Sequence, residues 1–295
     1  MPVLTHFVYG DYIVNERLKV FLFRGIPKSL ISRVFGIVAL IPLPAALMGR
    51  IISWYVKKYG VRLDEAVIPD KGFKNLNLFF TRALKEGARA VSKGRNDIVA
   101  TTDSRVDQFG RIRKDTILQA KGVEYSVRDL IPSKMAEKFI DGHFITLYLS
   151  PGDYHRIHAP VTGEITGFFN IPGKLFTVQE FMVRGLKGLF AVNERLITYI
   201  STKKGHVAVC KIGAINVGKI SLSYDRAVTN RMFRRRNEVF YEAGRCPAVK
   251  KGDEIGTFNL GSTVIILFEK GMVKFDRLKA GQKVRVGGKI GEFTA

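Results

Sequence analysis

Two histidines, His155 and His158, stand in the segment LSPGDYHRIHAP (149–160), between a predicted strand and a proline. A strand that ends in a Pro-Gly turn is typical of the rim of a functional site, because loops on a rigid scaffold often carry function. Histidine suits general acid or base catalysis because its pKa lies near neutrality. A structural pair bonded to backbone carbonyls stays the alternative. Positions three apart on an extended chain face opposite sides, so we expect no metal site here.

Asp103 is a second candidate, at the predicted end of a strand in VATTDSRVDQFGRI (99–112). Most aspartates in turns simply form the turn. If Asp103 meets a histidine in space, its carboxylate could fix the ring tautomer and stabilise the imidazolium, as in a catalytic triad. Its role therefore depends on the fold.

Gly261 and Ser262 head the apolar segment FNLGSTVIILF (258–268), which predicts a buried strand. Glycine weakens a strand and packs nothing, so its place there needs a reason. Taken alone, the pair predicts a β-bulge or a tight strand entry. Because no G-x-S-x-G elbow surrounds Ser262, a conventional serine hydrolase is a poor fit.

The charge of the chain points to a polyanionic partner. Its 295 residues include 48 Lys+Arg and 26 Asp+Glu, which gives a net charge of +22. Such a surplus attracts nucleic acid or an anionic lipid surface. No nucleic-acid-binding module is recognisable, so we expect no nucleic-acid partner. Cys210 and Cys246 are predicted to be free thiols, and no Cys/His cluster suggests zinc.

An apolar run from Val34 to Met48 helps to choose between these partners. It is shorter than the roughly 20 residues of a spanning helix, and Pro42 and Pro44 interrupt it. It also lacks the cleavage site of a signal peptide. The run predicts either a buried helical hairpin or a segment that dips into a membrane surface, and the net charge favours the membrane. Basic residues around it are Arg17, Lys19, Arg24, Lys28, Arg33, Arg50, Lys57 and Lys58.

The elements that must position these residues form an α+β chain. Residues 1–95 read as a helical, membrane-associating region, with one helix that ends before Gly60 and another that Asn75 caps and that runs to Leu84. Residues 96–295 are short β-branched runs separated by glycines, which predicts a β-rich catalytic domain resembling a sandwich or barrel. Two similar glycine turns, 249–258 and 278–293, support this interpretation.

Three motifs together resemble the phosphatidylserine decarboxylase family, whose members process themselves and use a pyruvoyl group. They are LGST (260–263), YLSPGDYHRIHAP (148–160) and FFTRALKEGAR (79–89). LGST alone is four common residues, but the motifs occur in matching order and spacing, and the resemblance runs from about Trp54 to the C-terminus. The segment TTDS (101–104) departs from the Pro-X-Asp-Gly of many relatives, and the basic segment 225–236 fills a variable region.

The resemblance implies a self-cleavage between Gly261 and Ser262. The Ser262 hydroxyl attacks the Gly261 carbonyl, His158 matches the base that takes the hydroxyl proton, and Asp103 matches the aspartate that orients the base. Residue 262 then becomes a pyruvoyl group at the head of a short α chain (262–295), and residues 1–261 form the β chain.

The resemblance also implies the reaction that the chain catalyses, its partners and its location in the cell. The pyruvoyl group acts as an electron sink while phosphatidylserine loses CO2 to give phosphatidylethanolamine, and His155 matches the acid that reprotonates the carbon. The expected partners are phosphatidylserine, an anionic membrane surface and a second processed protomer in a homodimer. The expected location is peripheral, on the cytoplasmic face of a bacterial-type cell membrane, and no metal is expected.

Two alternatives stay open at this point. The chain could decarboxylate a different aminated headgroup, or it could be a catalytically silent basic module that binds anionic membranes or nucleic acid. Arg231, Arg234, Arg235 and Arg236 could grip a headgroup phosphate or form a solvated loop.

Overall fold

The computed structural model describes residues 20–21, 25, 28–120, 122–215, 219–229, 235–259 and 262–294. Several predicted functional positions lie outside the described residues, namely Gly261, Arg17, Lys19, Arg24, Arg231 and Arg234. Within the described residues the chain is α+β with mostly antiparallel sheets, as predicted. Cys210 and Cys246 are free thiols, also as predicted.

The helices are α1 Lys28–Val38, α2 Ala45–Tyr59, α3 Leu76–Phe80, α4 Val127–Leu130, α5 Glu180–Gly185 and α6 Leu189–Val192, with a 3₁₀ helix at Lys134–Phe139. The first two form a hairpin whose turn contains the proline pair of the apolar run. Helix α2 begins after Pro44 and ends at Gly60, which adopts the left-handed conformation (φ 65°) that glycine allows. The predicted stop at Gly60 is therefore confirmed. Met48, Phe73, Phe79 and Phe80 belong to a small core under this hairpin.

The helix that Asn75 caps is shorter than the sequence predicted. The Asn75 side chain accepts a hydrogen bond from Leu78 N as expected, but α3 ends at Phe80 instead of Leu84. The Thr81 hydroxyl donates to Asn77 O at 2.8 Å, and Leu84 forms an isolated bridge with Ala66. The apolar spacing beyond Phe80 thus reflects extended pairing and not a further helical turn.

The strands are β1 Asp97–Val99, β2 Ser104–Arg111, β3 Thr116–Ala120, β4 Val123–Ser126, β5 His143–Tyr148, β6 Arg156–His158, β7 Gly163–Ile171, β8 Arg195–Thr202, β9 Gly205–Ile212, β10 Ile220–Ser221, β11 Asn237–Phe240, β12 Ala248–Val249, β13 Glu254–Phe258, β14 Thr263–Phe268, β15 Val273–Phe275, β16 Lys283–Val284 and β17 Lys289–Phe293. The largest sheet has the order β11-β7-β8-β9-β14-β5-β2-β16, with β12 also paired to β7.

Strand β14 lies in the interior of the largest sheet. It pairs with β5 on one side and β9 on the other over its whole length, so that Thr263 faces Tyr148 and Ile212. All six of its residues are buried. A continuous β-branched run is what a strand covered on both faces requires. The residue before it, Ser262, is thereby fixed at the head of a central strand.

A smaller sheet of order β10-β13-β6 carries His158, and His155 lies immediately before β6. His158 ends β6 and faces Glu254 of β13. The two glycine turns that the sequence relates lead into β13 and β17, each of which ends at a phenylalanine. This sheet brings the His155–His158 segment alongside the chain that leads to Ser262.

Candidate active site

Ser262 combines complete burial with an unsatisfied hydroxyl. Its side chain is 0 % exposed, and its Oγ has no hydrogen-bond partner among the described residues. Its backbone carbonyl accepts a hydrogen bond from Leu149 N at 2.9 Å, which fixes its place. A buried polar group without a partner costs roughly 1–3 kcal/mol. Such a group in a folded protein calls for a functional explanation.

The segment with the two histidines brackets the predicted cleavage position. At one end, Leu149 bonds to Ser262; at the other, Phe258 N donates to His155 O at 2.9 Å. The chain between Phe258 and Ser262 is therefore anchored at both ends to the same short stretch of protein. The fold thus pairs the histidine segment with Phe258 on one side and with Ser262 on the other.

His155 is completely buried, with 0 % exposure. Neither ring nitrogen has a hydrogen-bond partner among the described residues, and the ring meets Phe80 edge-on at 6.3 Å between centroids. Burial, helped by the positive charge of Arg82, lowers the pKa of His155 to about 4. The imidazole is therefore neutral at neutral pH and has no contact with solvent.

His158 is held in one tautomer by its neighbours. Its Nδ1 lies 2.7 Å from Gly252 O, and its Nε2 lies 3.2 Å from the Tyr154 hydroxyl. A carbonyl oxygen only accepts, so Nδ1 must carry the hydrogen and Nε2 the lone pair. Burial lowers the pKa of His158 and keeps the ring neutral. The Nε2 lone pair therefore accepts the Tyr154 hydroxyl hydrogen, and Nε2 can act as a base when that bond is released.

Asp103 lies beside His158 in the fold but bonds to other groups. His158 N donates to Thr101 O at 2.8 Å, which places the two segments side by side. The Asp103 carboxylate instead accepts from Arg89 Nε at 2.9 Å and from Val286 N at 2.9 Å. The direct bond to the His158 ring that the resemblance implies is thus not among the contacts of the described residues. The negative charge of Asp103 is one of several influences that favour the protonated form of His158.

The turn before the histidines is braced by the helical region. Tyr55 of α2 donates its hydroxyl hydrogen to Pro151 O at 3.1 Å. The buried Arg82 donates to Gly152 O at 3.1 Å and to Asp153 O at 3.3 Å. A Cβ at Gly152 would come within 2.5 Å of Tyr59 O. Contacts from Tyr55 and Arg82 therefore hold in place the turn that leads into His155 and His158.

Sequence reasoning missed three residues that support the site. Tyr154 lies in the histidine motif, four residues before His158, but the motif alone does not indicate that its hydroxyl contacts the His158 ring. Arg82 and Arg89 are buried or half-buried cations that hold the turn and Asp103. Both lie in the motif FFTRALKEGAR (79–89), which is the signal that could have found them, but the motif does not say which groups they contact. Among the residues that the structure describes, no group of three His, Cys, Asp or Glu side chains could hold a metal.

Comparison with known proteins gives one consistent result. The phosphatidylserine decarboxylase family model matches residues 76–292. The phosphatidylserine decarboxylase proenzyme of Myxococcus xanthus is 40 % identical over 283 residues, which is 95 % of this chain and 100 % of the relative. The proenzyme of Alcanivorax borkumensis is 41 % identical over 95 % of this chain and 98 % of the relative. That of Vibrio parahaemolyticus is 39 % identical over 92 % and 97 %.

Proposed function

Because this chain belongs to the phosphatidylserine decarboxylase family, we propose that it cuts itself before Ser262 and then converts phosphatidylserine to phosphatidylethanolamine and CO2. The observation that supports this most directly is the buried, unpartnered hydroxyl of Ser262 at the head of β14. The histidine segment is bonded to the chain on both sides of the bond to be cut.

The proposed cut uses only groups of this chain and one water molecule. The Ser262 hydroxyl attacks the Gly261 carbonyl carbon and His158 Nε2 takes its proton. The Gly261–Ser262 C–N bond breaks, so that an ester joins the two residues and the amine of residue 262 becomes free. Loss of the Cα proton and cleavage of the ester then release the Gly261 carboxylate. Water replaces the nitrogen, ammonia leaves, and residue 262 ends as a ketone.

The sheet would hold the two pieces together after the cut. The short α chain (262–295) supplies β14, β15, β16 and β17, and β14 is hydrogen-bonded to the long chain on both edges. The same chain also pairs β16 with β2 and β17 with β1. We therefore propose a catalytic domain of residues 96–295 that remains intact while its backbone is interrupted at Ser262.

The residues present fit a pyruvoyl group at position 262. The Ser262 side chain is completely buried, so a ketone formed from it would be shielded from water. A pyruvoyl group at this position would supply an electrophilic carbonyl for the serine amine of the lipid and a sink for the electron pair that CO2 leaves behind. His155 is buried and neutral before substrate binds. It would take up a second proton, and the imidazolium so formed would give that proton to the substrate carbon and return to the neutral ring. Asp103 would act on His158 through its charge.

The helical region is proposed as the membrane contact. Large apolar side chains stand exposed along α1 and α2 and the turn between them, with Ile37 at 65 % and Trp54 at 56 % exposure: Leu30, Ile31, Val34, Ile37, Val38, Leu40, Ile41, Leu47 and Trp54. An apolar face with basic neighbours suits an anionic membrane surface. No helix within the described ranges is long and apolar enough to cross a membrane. We also propose a location on the cytoplasmic face of the membrane and a dimer of processed protomers. Both rest on the family resemblance alone.

A direct assay tests the proposal. The purified chain is mixed with phosphatidylserine in detergent micelles, and phosphatidylethanolamine and CO2 are measured alongside a denaturing gel. We expect two fragments and product from the parent chain, and one uncut, inactive chain from Ser262→Ala. Appreciable activity in Ser262→Ala would refute the pyruvoyl assignment. Faster decarboxylation of a lipid with a different aminated headgroup would show that phosphatidylserine is not the preferred substrate.

A further inference from the structure

A cavity of about 500 Å³ lies between helix α1 and strand β10. One wall is apolar and comes from α1 and the turn that follows it, including Ile37 and Leu40. The opposite wall is polar and includes Lys219, Ser221 and Asn259. The cavity therefore presents an apolar surface and a polar surface to the same ligand.

Hydrogen bonds join one wall of this cavity to the chain segment that leads into Ser262. Asn259 lies three residues before Ser262 along the chain. Its backbone N and its side-chain Nδ2 both donate to Lys219 O, at 2.9 Å and 3.0 Å. The position of Lys219 is thereby fixed relative to the segment that leads into Ser262. A ligand held at Lys219 would be held close to the start of β14.

The charge of the cavity favours an anion. The described residues that line it include two cations, Arg33 and Lys219, and no carboxylate. Phosphate is bound well by lysine as a point charge and by arginine through its fork of donors. The rest of the lining is apolar on the α1 side and polar but uncharged on the other side, so the ligand that fits is an amphiphile with one phosphate.

The surroundings indicate where this amphiphile comes from. The segment that forms the apolar wall also carries the exposed side chains of Val34, Val38 and Ile41. A face of this kind is typical of a surface that lies in the headgroup region of a bilayer. A lipid would therefore reach the cavity from the membrane with its phosphate toward Lys219.

We propose that this cavity binds the phosphodiester of the phospholipid substrate, with Lys219 as the main contact and Arg33 as the second. The inference rests on the proposed decarboxylase function and adds to it the group that sets substrate affinity. Phosphate capture at Lys219 leaves the serine headgroup to extend past Asn259 toward residue 262. Lys219 and Arg33 bind and orient the lipid and take no part in the chemistry.

Steady-state kinetics of Lys219→Gln in uncharged detergent micelles test this inference. We expect KM for phosphatidylserine to rise about tenfold with kcat nearly unchanged, which is the usual loss for one charge-assisted hydrogen bond. Arg33→Gln should raise KM in the same direction. Lys203→Gln removes the same charge at an exposed hairpin between β8 and β9, and its KM should stay at the parent value. Self-cleavage, read on a denaturing gel, should be complete in all three variants.

A second substrate separates phosphate binding from general charge attraction. With a diacylglycerol that carries serine through an uncharged ester, Lys219→Gln should have the same KM as the parent chain. An equal rise in KM for both substrates would overturn the inference, as would a parent-like KM of Lys219→Gln for phosphatidylserine. Failure of the parent chain to decarboxylate phosphatidylserine would instead overturn the proposed function, so the two failures can be told apart.

Discussion

The neutral, buried state of His155 predicts a specific loss of stability in acid. Its ordinary pKa is 6.5, and burial lowers it to about 4 in the folded chain. The unfolded chain therefore binds a proton at His155 between these values while the folded chain does not, so that stability falls as pH falls. Replacing His155 with glutamine, which does not titrate, should remove this part of the pH dependence.

The size of the effect follows from the two pKa values. Each unit between them costs about 1.4 kcal/mol, which sets a ceiling of roughly 3 kcal/mol for this histidine. Between about pH 7 and pH 4.5, the parent should lose roughly 2 kcal/mol more unfolding free energy than the variant. His158 and His143, whose pKa values burial also lowers, contribute equally to both chains and cancel.

Urea unfolding of uncut protein measures this difference. Both chains carry Ser262→Ala, so that each unfolds as a single polypeptide and a two-state analysis can be checked with two probes. The free energy of unfolding is compared at about pH 7 and pH 4.5 for Ser262→Ala with and without His155→Gln. Equal losses in the two chains would show that His155 is hydrated or paired in the folded state, and the neutral, buried state of the ring would be wrong.

Three further perturbations give separate tests. His158→Gln removes the base lone pair at Nε2, so the chain should stay uncut on a denaturing gel for hours in which the parent is cut completely; normal cutting would remove His158 from the reaction. Gly152→Ala places a Cβ within 2.5 Å of Tyr59 O, and the displaced turn should slow self-cleavage severalfold, whereas a parent-like rate would show that the turn does not aim the histidines. Lys211 is 0 % exposed and its pKa is lowered to about 7 by burial. Because the unfolded chain holds that proton up to higher pH, the uncut Ser262→Ala chain should gain roughly 2 kcal/mol of unfolding free energy between about pH 7 and 9, and Lys211→Met is compared with it in the same uncut background. Lys211→Met should lack that gain in urea unfolding, and an equal gain in both chains would contradict the buried neutral amine.

The sequence predicted those features of the fold that depend on neighbouring residues, such as a helix end and a buried strand. Gly60 ends a helix because it alone adopts a left-handed conformation cheaply, and the β-branched run 263–268 forms a strand buried on both faces. The end of the Asn75-capped helix was not predictable in this way. The spacing through Leu84 fits a helix, but the pairing of Leu84 with Ala66 is a long-range contact that periodicity does not encode.

In the candidate site, too, the sequence predicts some residues and not others. Ser262, His155 and His158 are named by motif, and the fold brings their segments together. The partners that set their chemistry come from elsewhere in the chain: Gly252 fixes the tautomer of His158, and Arg89 takes the carboxylate of Asp103. Arg89 lies in the motif 79–89, but its pairing with Asp103, like the choice of the Gly252 carbonyl by His158, is a long-range contact that a single sequence does not encode.

The intact mass of both fragments from the purified, folded chain tests the central claim most directly. The account predicts a fragment of residues 1–261 and a fragment of residues 262–295. The second should be lighter by one ammonia than a peptide that begins with serine, and it should react with reagents that trap a ketone. A single species with the mass of the whole chain, or a second fragment that begins with an unmodified serine, would contradict the account.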